Sequence, residues 1–368
     1  MIKNVAIIGG GINSAVGRAH FAALKMLDNK FKIVAAVFSR DDKINSETAN
    51  LFGGTNLKLF RNYYDMLHAI RSEVDVIIIL SPTNNHFEHV LASLEMGFDV
   101  ICEKSISLTV NEAKKLKDVS IEKGKKLVVM YNYLGYPMLE ELKARVSSGV
   151  FGQLLDVQLE MPQEGYLLLK EGLINAPQDW RLEDRLIPTI SLDLGVHLHI
   201  VLHHTCGLVP QSVAAIQTSA GPFNVIDNVK ALVKYKNGIS GSIWFSKVSL
   251  GNKNGLSIRI FGREGSVSWL QTNPEELVIN DNKGVRYIID RSSPCLSGLI
   301  SNPEISIFKP GHPIGFVEAM KNYYLDSHAY LCDNPSSFTY GINEAILGLE
   351  LLEKISHAAI KNCWVDFE

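Results

Sequence analysis

The first third of the chain alternates short apolar runs, of the kind found in strands buried on both faces of a parallel sheet, with stretches of helical periodicity. The runs lie at residues 5–8, 33–38, 74–80, 100–102 and 127–130. Residues 17–27, 86–96 and 110–123 have the spacing of amphipathic helices. Thr109 and Glu112 form a predicted capping box before the third of these helices. The alternation predicts a doubly wound α/β domain with right-handed crossovers.

The pattern changes after about residue 131. Helical stretches lie at residues 138–147, 190–204 and 344–360. Strand-like segments lie at residues 154–160, 212–218, 228–235, 241–246, 256–261 and 266–270. Residues 236–238 and 262–265 are predicted as hairpin turns because Asn and Gly tolerate a positive φ. The pattern predicts an α+β domain built on a large, mainly antiparallel sheet.

The length of 368 residues allows two domains, and the change of pattern assigns them to residues 1–131 and 132–368. The formal net charge of −3 lacks the basic excess of a nucleic-acid binder. No apolar run approaches the roughly 20 residues that span a membrane, and the N-terminal residues do not resemble a signal peptide. The five cysteines have no C-x-x-C spacing, which favours reduced thiols in a cytoplasmic protein over disulfides or a zinc site.

Three consecutive glycines follow the first predicted strand directly, and Gly17 lies at the start of the next helix. Gly9 and Gly11 match the G-x-G-x-x-G pattern of a dinucleotide-binding turn, while the third glycine is displaced. A turn in this position allows a pyrophosphate to approach the N-terminus of a helix, so we expect a domain of the Rossmann type. At the end of the second strand, Ser39 and Arg40 favour NADP, whereas Asp41 leaves NAD open, and Arg40 could equally be a solvated loop residue.

Two further clusters have residue types suited to acid–base chemistry. Glu103 and Lys104 follow a buried strand at the carboxyl end, where ligands of doubly wound sheets bind. Asp193 and His197 lie at i and i+4 around Gly195, which predicts an oriented acid–base pair on one helix face with room for close approach of a ligand. Each cluster could also be an ordinary surface pair. His199 and His203 share the helix, but without a Glu in the H-E-x-x-H position no metal site is predicted.

Five motifs in the same order and spacing resemble the glucose–fructose oxidoreductase, inositol dehydrogenase and rhizopine-catabolism (Gfo/Idh/MocA) family over nearly the whole chain. They are the glycine turn, S-P-T-N-N-H at 81–86, M-G-F-D-V-I-C-E-K at 96–104, D-x-G-x-H at 193–197 and I-F-G-R-E-G-S at 260–266. Three other segments resemble the sugar-dehydrogenase branch that includes levoglucosan dehydrogenase. They are N-Y-L-G-Y-P-M at 132–138, P-Q at 162–163 and G-H-P-I-G at 311–315.

The resemblance implies an NAD- or NADP-dependent dehydrogenase of a sugar, sugar derivative or cyclitol. It implies that His197 is the general base, that Lys104 stabilises the developing alkoxide and that Asp193 binds the sugar or orients the pair. It implies cofactor contacts from Gly9, Gly11, Ile12, Asn13, Ser39, Arg40, Ser81, Pro82, Thr83, Asn85, His86 and Glu103. It implies substrate contacts from Tyr133, Gln163, Trp180, Arg181 and His312. With sheet burial, it also implies a homodimer or homotetramer built on the second domain.

One position departs from the family pattern, because Ser105 follows Lys104 where the family has proline. A cis bond before a residue other than proline costs about 2.5–4 kcal/mol, so we expect a trans bond with Lys104 still directed at the cleft. Two other functions on the same fold stay open. One is a glycosidase that uses tightly bound NAD for transient oxidation, and the other is a sensor of sugar or dinucleotide without catalysis.

Overall fold

The computed structural model describes residues 1–52, 56–174 and 176–367. The chain divides into two compact units, each formed from two separate segments. The first unit contains Met1–Gly135 and Gly315–Leu347, and the second contains Tyr136–Ile314 and Gly348–Glu368. The segment Gly315–Leu347 therefore belongs with the N-terminal segment, whereas the sequence pattern predicted a single boundary after residue 131.

The N-terminal segment alternates strands and helices as expected. Its strands are β1 (Lys3–Gly9), β2 (Phe31–Val37), β3 (Lys58–Leu59), β4 (Val76–Leu80), β5 (Asp99–Glu103) and β6 (Leu127–Met130). Its helices are α1 (Ala15–Lys25), α2 (Asp42–Phe52), α3 (Tyr63–Ala69), α4 (His86–Glu95) and α5 (Val110–Lys123). The predicted capping box is confirmed: Thr109 Oγ1 accepts from the Glu112 amide, and the Glu112 carboxylate accepts from the Thr109 amide.

The second segment begins with α6 (Pro137–Ser147) and contains α7 (Val196–Cys206). Its strands are β7 (Leu154–Pro162), β8 (Leu169–Lys170), β9 (Leu173–Ile174), β10 (Pro210–Thr218), β11 (Asn228–Tyr235), β12 (Ser240–Ser246), β13 (Ser257–Gly262), β14 (Gly265–Leu270), β15 (Asn273–Asp281) and β16 (Arg286–Ile289). The chain ends with α8 (Phe316–Leu331), β17 (Tyr340–Gly341), α9 (Ile342–Lys361) and β18 (Val365–Asp366).

The sheet of the first unit has the strand order β17-β6-β5-β4-β1-β2-β3. Strands β1 to β6 are parallel, and β17 adds an antiparallel strand at the β6 edge. Every residue of β4 and β6 is buried, as the continuous apolar runs predicted. This is the Rossmann arrangement, and its strand order reverses between β1 and β4, where ligands of such sheets bind.

The second unit is built on a nine-stranded sheet with the order β16-β15-β14-β13-β7-β12-β11-β10-β18. All neighbouring pairs in the sheet are antiparallel except β7 with β12, so the prediction of a mainly antiparallel α+β domain is confirmed. Strand β11 alternates buried and exposed residues, which means that one face of the sheet packs inward and the other is open within this chain.

The two predicted turns form for different reasons. Asn237 and Gly238 both have positive φ, as predicted. The glycines of the second turn, Gly262 and Gly265, do not have positive φ, so the predicted reason is wrong there. A Cβ on Gly262 would lie 2.1 Å from the Phe151 carbonyl oxygen, so close backbone packing requires this glycine. In the described part of the chain, no helix is long and apolar enough to cross a membrane.

Candidate active site

The glycine turn closes the carboxyl end of β1 against the loop that follows β4. Gly9 and Gly10 have φ of 89° and 74°, which favour glycine, and a Cβ on Gly9 would lie 2.5 Å from the Ser81 nitrogen. A Cβ on Gly17 would lie 2.5 Å from the Gly10 carbonyl oxygen. The displaced third glycine therefore has a clear packing function, since it brings α1 against the turn.

The residues between the turn and α1 are already held by hydrogen bonds. Ser14 caps α1, and its hydroxyl accepts from the Gly17 amide at 3.0 Å. The Ile12 amide donates to Thr48 Oγ1 at 2.9 Å, and the Ile12 carbonyl oxygen accepts from Arg18 Nε at 3.0 Å. Asn13 is exposed, and Gly11 and Ile12 are half-buried. The N-terminus of α1, with its partial positive charge, thus faces a narrow turn without Cβ atoms.

At the end of β2, Asp41 has a structural function. Its carboxylate accepts from the Ile44 amide at 3.0 Å at the start of α2. The Asp41 amide in turn donates to the Ser39 hydroxyl at 3.1 Å. Arg40 is exposed between them. Asp41, the acid that made NAD a possible cofactor in the sequence, therefore orders the first turn of α2, and the Arg40 side chain is exposed beside it.

His86 connects the loops after β4 and β5. Its Nε2 lies 2.7 Å from the Ser81 carbonyl oxygen, and its Nδ1 lies 2.6 Å from the Ser105 carbonyl oxygen. Burial lowers the pKa of His86 from its ordinary value. Pro82 precedes the short 3₁₀ turn Thr83–Asn85, which leads into His86 at the start of α4. The five predicted cofactor residues at 81–86 thus form one compact segment.

The expectation of a trans bond between Lys104 and Ser105 is wrong, because this bond is cis. The general preference for trans does not take account of the partners that a particular loop provides. Here Ser105 is buried, and its carbonyl oxygen faces His86 Nδ1 in this conformation. Lys104 itself is half-buried directly after β5, and its amide donates to Glu103 Oε2 at 3.2 Å.

In the second unit, Asp193 and His197 lie on one continuous helical stretch. It begins as a π-helix at Ser191–Gly195, where the Val196 amide donates to the Ser191 carbonyl oxygen, and continues as α7. Such π-helical turns are frequent at functional sites. The His197 side chain is buried at 4 % exposure. The Asp193 carboxylate, 14 % exposed, forms an ion pair with Lys247 Nζ at 2.9 Å and lies 3.7 Å from Arg181 Nε.

The role predicted for Gly195 is corrected by the structure. A Cβ at this position would lie 2.6 Å from Leu352 Cδ2 and 3.3 Å from Phe245 Cζ. The space beside Gly195 is therefore filled by the apolar core of the second unit and not by a ligand. Close packing of the helix on α9 and β12 is the physical reason for the glycine.

The residues expected to contact substrate lie on both units. Gln163 Oε1 accepts from Lys247 Nζ at 2.8 Å, and Gln163 Nε2 donates to Asn254 Oδ1 at 2.9 Å. Trp180 and Arg181 stack, with the guanidinium carbon 4.1 Å from the indole centroid. His312 is exposed, and its carbonyl oxygen accepts from Arg291 at 2.8 Å. Tyr133 is a buried residue of the first unit and packs edge-on against Phe316.

Comparison with known proteins identifies the family. A model described as "Oxidoreductase family, NAD-binding Rossmann fold" matches residues 3–131, and the "GFO/IDH/MocA C-terminal domain" matches residues 139–268. The chain belongs to the Gfo/Idh/MocA family. It is an NAD-binding oxidoreductase of this family.

Similar proteins extend over most of the chain. A levoglucosan dehydrogenase from Pseudarthrobacter phenanthrenivorans is 24 % identical, with 99 % of this chain and 97 % of the relative covered. An uncharacterised oxidoreductase, YfiI of Bacillus subtilis, is 29 % identical, with 87 % of this chain and 83 % of the relative covered. The fold is similar to that of an inositol dehydrogenase homologue from Azotobacter vinelandii complexed with NADH and myo-inositol (TM-score 0.86, 22 % identity, 100 % and 98 % coverage).

The residues present in this Gfo/Idh/MocA chain fit a dinucleotide. The cradle at Gly9 and Gly17 has no space for a Cβ, and the capped N-terminus of α1 lies beside it. Three strand ends meet there: a Cβ on Gly9 would touch Ser81, and a Cβ on Gly11 would lie 3.2 Å from the Phe38 carbonyl oxygen. Among the described residues, no group of three His, Cys, Asp or Glu could hold a metal ion.

Sequence reasoning missed Lys247. This residue follows β12, and Gln163 follows β7, so the parallel pairing of β7 with β12 brings both to the same edge of the sheet. From Gln163 the hydrogen bonds continue through Asn254 to Gln271 at 2.9 Å and to the Tyr136 hydroxyl at 3.0 Å. The parallel pairing that brings Lys247 beside Gln163 is a tertiary feature, and no local motif reports it.

Proposed function

We propose that the protein transfers a hydride between NAD or NADP and a hydroxyl-bearing or keto carbon of a sugar, sugar derivative or cyclitol. The placement of Asp193 carries the proposal. Its carboxylate lies on the same helical stretch as the buried His197 and is fixed by Lys247 at 2.9 Å. The sugar dehydrogenases among the relatives, such as levoglucosan dehydrogenase and D-glucoside 3-dehydrogenase, support the substrate class.

The first unit would hold the cofactor, which when bound supplies a hydride acceptor or donor at its nicotinamide ring. Gly9, Gly11, Ile12 and Asn13 would contact the pyrophosphate beside the N-terminus of α1. Ser39 and Arg40 would contact the adenosine ribose or its 2′-phosphate, which makes NADP compatible with this chain. The remaining contacts would come from Ser81, Pro82, Thr83, Asn85, His86 and Glu103.

Three residues would act on the reacting hydroxyl. In the oxidative direction His197 would take its proton, which is a role suited to an imidazole near neutral pH. The Lys104 ammonium would stabilise the negative charge that develops on the oxygen. Asp193, held by its ion pair, would accept a hydrogen bond from the sugar and fix its position. Tyr133, Gln163, Trp180, Arg181 and His312 would contact the other hydroxyls or the ring face.

The experiment is to mix the purified protein with NAD⁺ or NADP⁺ and a panel of sugars, sugar derivatives and cyclitols, and to record nicotinamide absorbance. We expect reduction with at least one substrate, and loss of this signal in Lys104→Met and His197→Gln. Cofactor binding without turnover of any member of the panel contradicts the proposal. Cleavage of a glycoside without net reduction supports the NAD-dependent glycosidase instead, and sugar binding that changes neither reactant supports the sensor.

We further propose that the protein works in a reducing compartment, the cytoplasm. Cys102, Cys206, Cys295, Cys332 and Cys363 are all free thiols. A disulfide would be expected among so many cysteines in an oxidising environment. Localisation of the tagged protein by cell fractionation tests this proposal, and its recovery from a secreted or periplasmic fraction contradicts it.

A further inference from the structure

Two buried polar side chains lie behind Glu103, the residue that precedes Lys104. His20 on α1 and Tyr324 on α8 are both 0 % exposed. The Tyr324 hydroxyl lies 2.7 Å from His20 Nδ1, and His20 Nε2 lies 2.8 Å from Glu103 Oε1. The rings of His20 and Tyr324 also meet edge-on, with centroids 5.6 Å apart. The three side chains therefore form a continuous row that ends at the carboxyl end of β5.

The hydrogen bonds along this row run in one direction, from Tyr324 to Glu103. Burial raises the pKa of Tyr324 well above its ordinary value, so the phenol stays neutral and keeps its proton. Among the described residues, His20 is the hydrogen-bond partner of this hydroxyl. A buried hydroxyl proton without an acceptor is costly, and His20 Nδ1 lies within hydrogen-bond distance of the Tyr324 hydroxyl. The Tyr324 hydroxyl therefore donates to His20 Nδ1, and His20 donates from Nε2 to Glu103.

Glu103 is held on both oxygens but is not enclosed. Its Oε1 faces His20, its Oε2 accepts from the Lys104 amide at 3.2 Å, and the side chain keeps 12 % exposure. A buried carboxylate without donors would be strongly disfavoured, so these two donors account for its stability in this position. Free lone pairs at the exposed edge can still accept hydrogen bonds from a ligand.

We propose that His20 and Tyr324 are positioning residues that orient the Glu103 carboxylate to accept a hydrogen bond from a hydroxyl of the bound dinucleotide. The inference rests on the cofactor contact proposed above for Glu103. A carboxylate suits a ribose hydroxyl, because bonds to an ionised acceptor are shorter and about twice as strong as neutral ones. The fixed tautomer of His20 sets the direction of the carboxylate, as ordered partners do for other functional side chains. His20 on α1 and Tyr324 on α8 would thus affect cofactor binding through Glu103 at the end of β5.

The test compares two adjacent tyrosines of α8. Tyr324→Phe removes the hydroxyl that orders His20. Tyr323→Phe is the matched control, because Tyr323 is equally buried and its hydroxyl donates to the Val129 carbonyl oxygen. NADH affinity is measured by fluorescence titration, and thermal unfolding is recorded for both variants. We expect both to lower Tm, but only Tyr324→Phe to weaken NADH binding, by roughly three- to tenfold.

A double-variant comparison separates positioning from general destabilisation. In a Glu103→Gln background, Tyr324→Phe should no longer change NADH affinity, because the carboxylate that it positions is gone. His20→Gln retains a side-chain N–H donor and should bind NADH more tightly than His20→Leu, which serves as a second comparison if Tyr324→Phe does not fold. Equal NADH affinity in Tyr324→Phe and Tyr323→Phe overturns the inference, as does a full Tyr324→Phe effect in the Glu103→Gln background.

The NADH-affinity test does not depend on whether the protein catalyses the proposed hydride transfer. If the unaltered protein binds NADH with the expected differences between variants but oxidises no sugar or cyclitol, the proposed function fails and the inference stands. If it oxidises a sugar while Glu103→Gln leaves NADH affinity unchanged, the inference fails and the proposed function stands. If the unaltered protein binds neither NADH nor NADPH, both are overturned.

Discussion

The carboxylate of Asp193 lies beside two cations that differ in distance and exposure. Lys247 is 13 % exposed and 2.9 Å away, whereas Arg181 is 27 % exposed and 3.7 Å away. Ion pairs gain strength with burial and short distance, so Lys247 makes the larger contribution to holding Asp193 in place. Lys247 also donates to Gln163, so the same ammonium orders two residues proposed to contact the sugar.

Replacement of Lys247 by Met should therefore lower kcat/KM for the substrate. We expect a fall of roughly ten- to a hundredfold, because the change removes the Lys247 ammonium from a largely buried carboxylate. Lys247→Arg should retain more activity, since it keeps a charge within reach. The matched control is Arg259→Met, which breaks a more exposed ion pair with Glu160 on the same sheet and should leave kcat/KM nearly unchanged. Unchanged kinetics in Lys247→Met would show that Asp193 does not need this partner.

A second prediction concerns His89 and the dependence of stability on pH. Burial lowers the pKa of His89 from 6.5 to about 4, and its Nδ1 lies 2.9 Å from the Ser81 hydroxyl. Between pH 6.5 and about pH 4, His89 takes up a proton in the unfolded chain but not in the folded chain. The contribution of His89 is therefore present above pH 6.5 and is lost as the pH falls towards 4.

The measurement is the free energy of unfolding in urea at pH 7 and pH 5. We expect the unaltered protein to lose up to about 2 kcal/mol from His89 over this interval, and His89→Gln to lose correspondingly less. Buried His86 should contribute in the same direction, because burial lowers its pKa too. His68→Gln, a change on the exposed side of α3, is the control and should leave the pH slope unaltered. Equal slopes for His89→Gln and the unaltered protein would contradict the prediction.

At the scale of elements, the sequence predicted best those segments whose residues share one environment. Strands β4 and β6 are apolar throughout because both of their faces are covered. Such a continuous apolar run can be recognised in the sequence without knowledge of the rest of the chain. Helix α8 was not predicted. Its buried side includes Lys321 and Asn322, and the Asn322 side chain donates to the Gly135 carbonyl oxygen. Buried polar residues with tertiary partners interrupt the apolar periodicity from which a helix is recognised.

In the candidate site too, residues within short motifs could be predicted from the sequence, whereas contacts between distant segments could not. Gly9, Lys104 and the pair Asp193 and His197 lie in short motifs, so the sequence alone was enough to propose them as site residues. The assignment of Gly315–Leu347 to the first unit reflects contacts between distant segments, among them the packing of α8 on α1 and the pairing of β17 with β6. Spacing alone also failed at Gly195, where the partners that require a glycine, Leu352 and Phe245, are far away in the chain.

One element-scale prediction concerns the loop between β16 and α8, which carries His312. Arg291 is buried and donates to Glu275, to the Phe308 carbonyl oxygen at 2.8 Å and to the His312 carbonyl oxygen at 2.8 Å. Glu275 also accepts from the Ile314 amide at 3.1 Å. One buried ion pair thus fixes this loop at several points.

Arg291→Met should release the loop. We expect faster amide hydrogen exchange at residues 306–314, together with a loss of stability of about 3–5 kcal/mol from the unpaired Glu275. If His312 contacts the sugar as proposed, KM should rise more than kcat falls. Arg286→Met, an exposed change on the neighbouring β16, is the control. Unaltered exchange at residues 306–314 would show that the loop is held by other contacts.

At the scale of the whole molecule, the nine-stranded sheet has an open face with an unusual composition. Leu232 on β11 is 57 % exposed and Ile216 on β10 is 64 % exposed, and the register places both on this face beside Lys230 and Trp244. Lys230 lies over the Trp244 ring at 5.7 Å. Exposed apolar side chains in one patch of a sheet favour a protein partner, so we propose that this face joins copies of the chain into a homodimer or homotetramer.

The test of this assembly is sedimentation velocity at micromolar concentration. Leu232→Glu should shift the protein to a monomer, because a carboxylate in the centre of an apolar interface loses its hydration without gaining a partner. Ile121→Glu is the matched control, since Ile121 is 68 % exposed on α5 of the first unit and should leave the assembly intact. A monomeric unaltered protein, or equal dissociation of both variants, would mean that the open face of the sheet is not the interface.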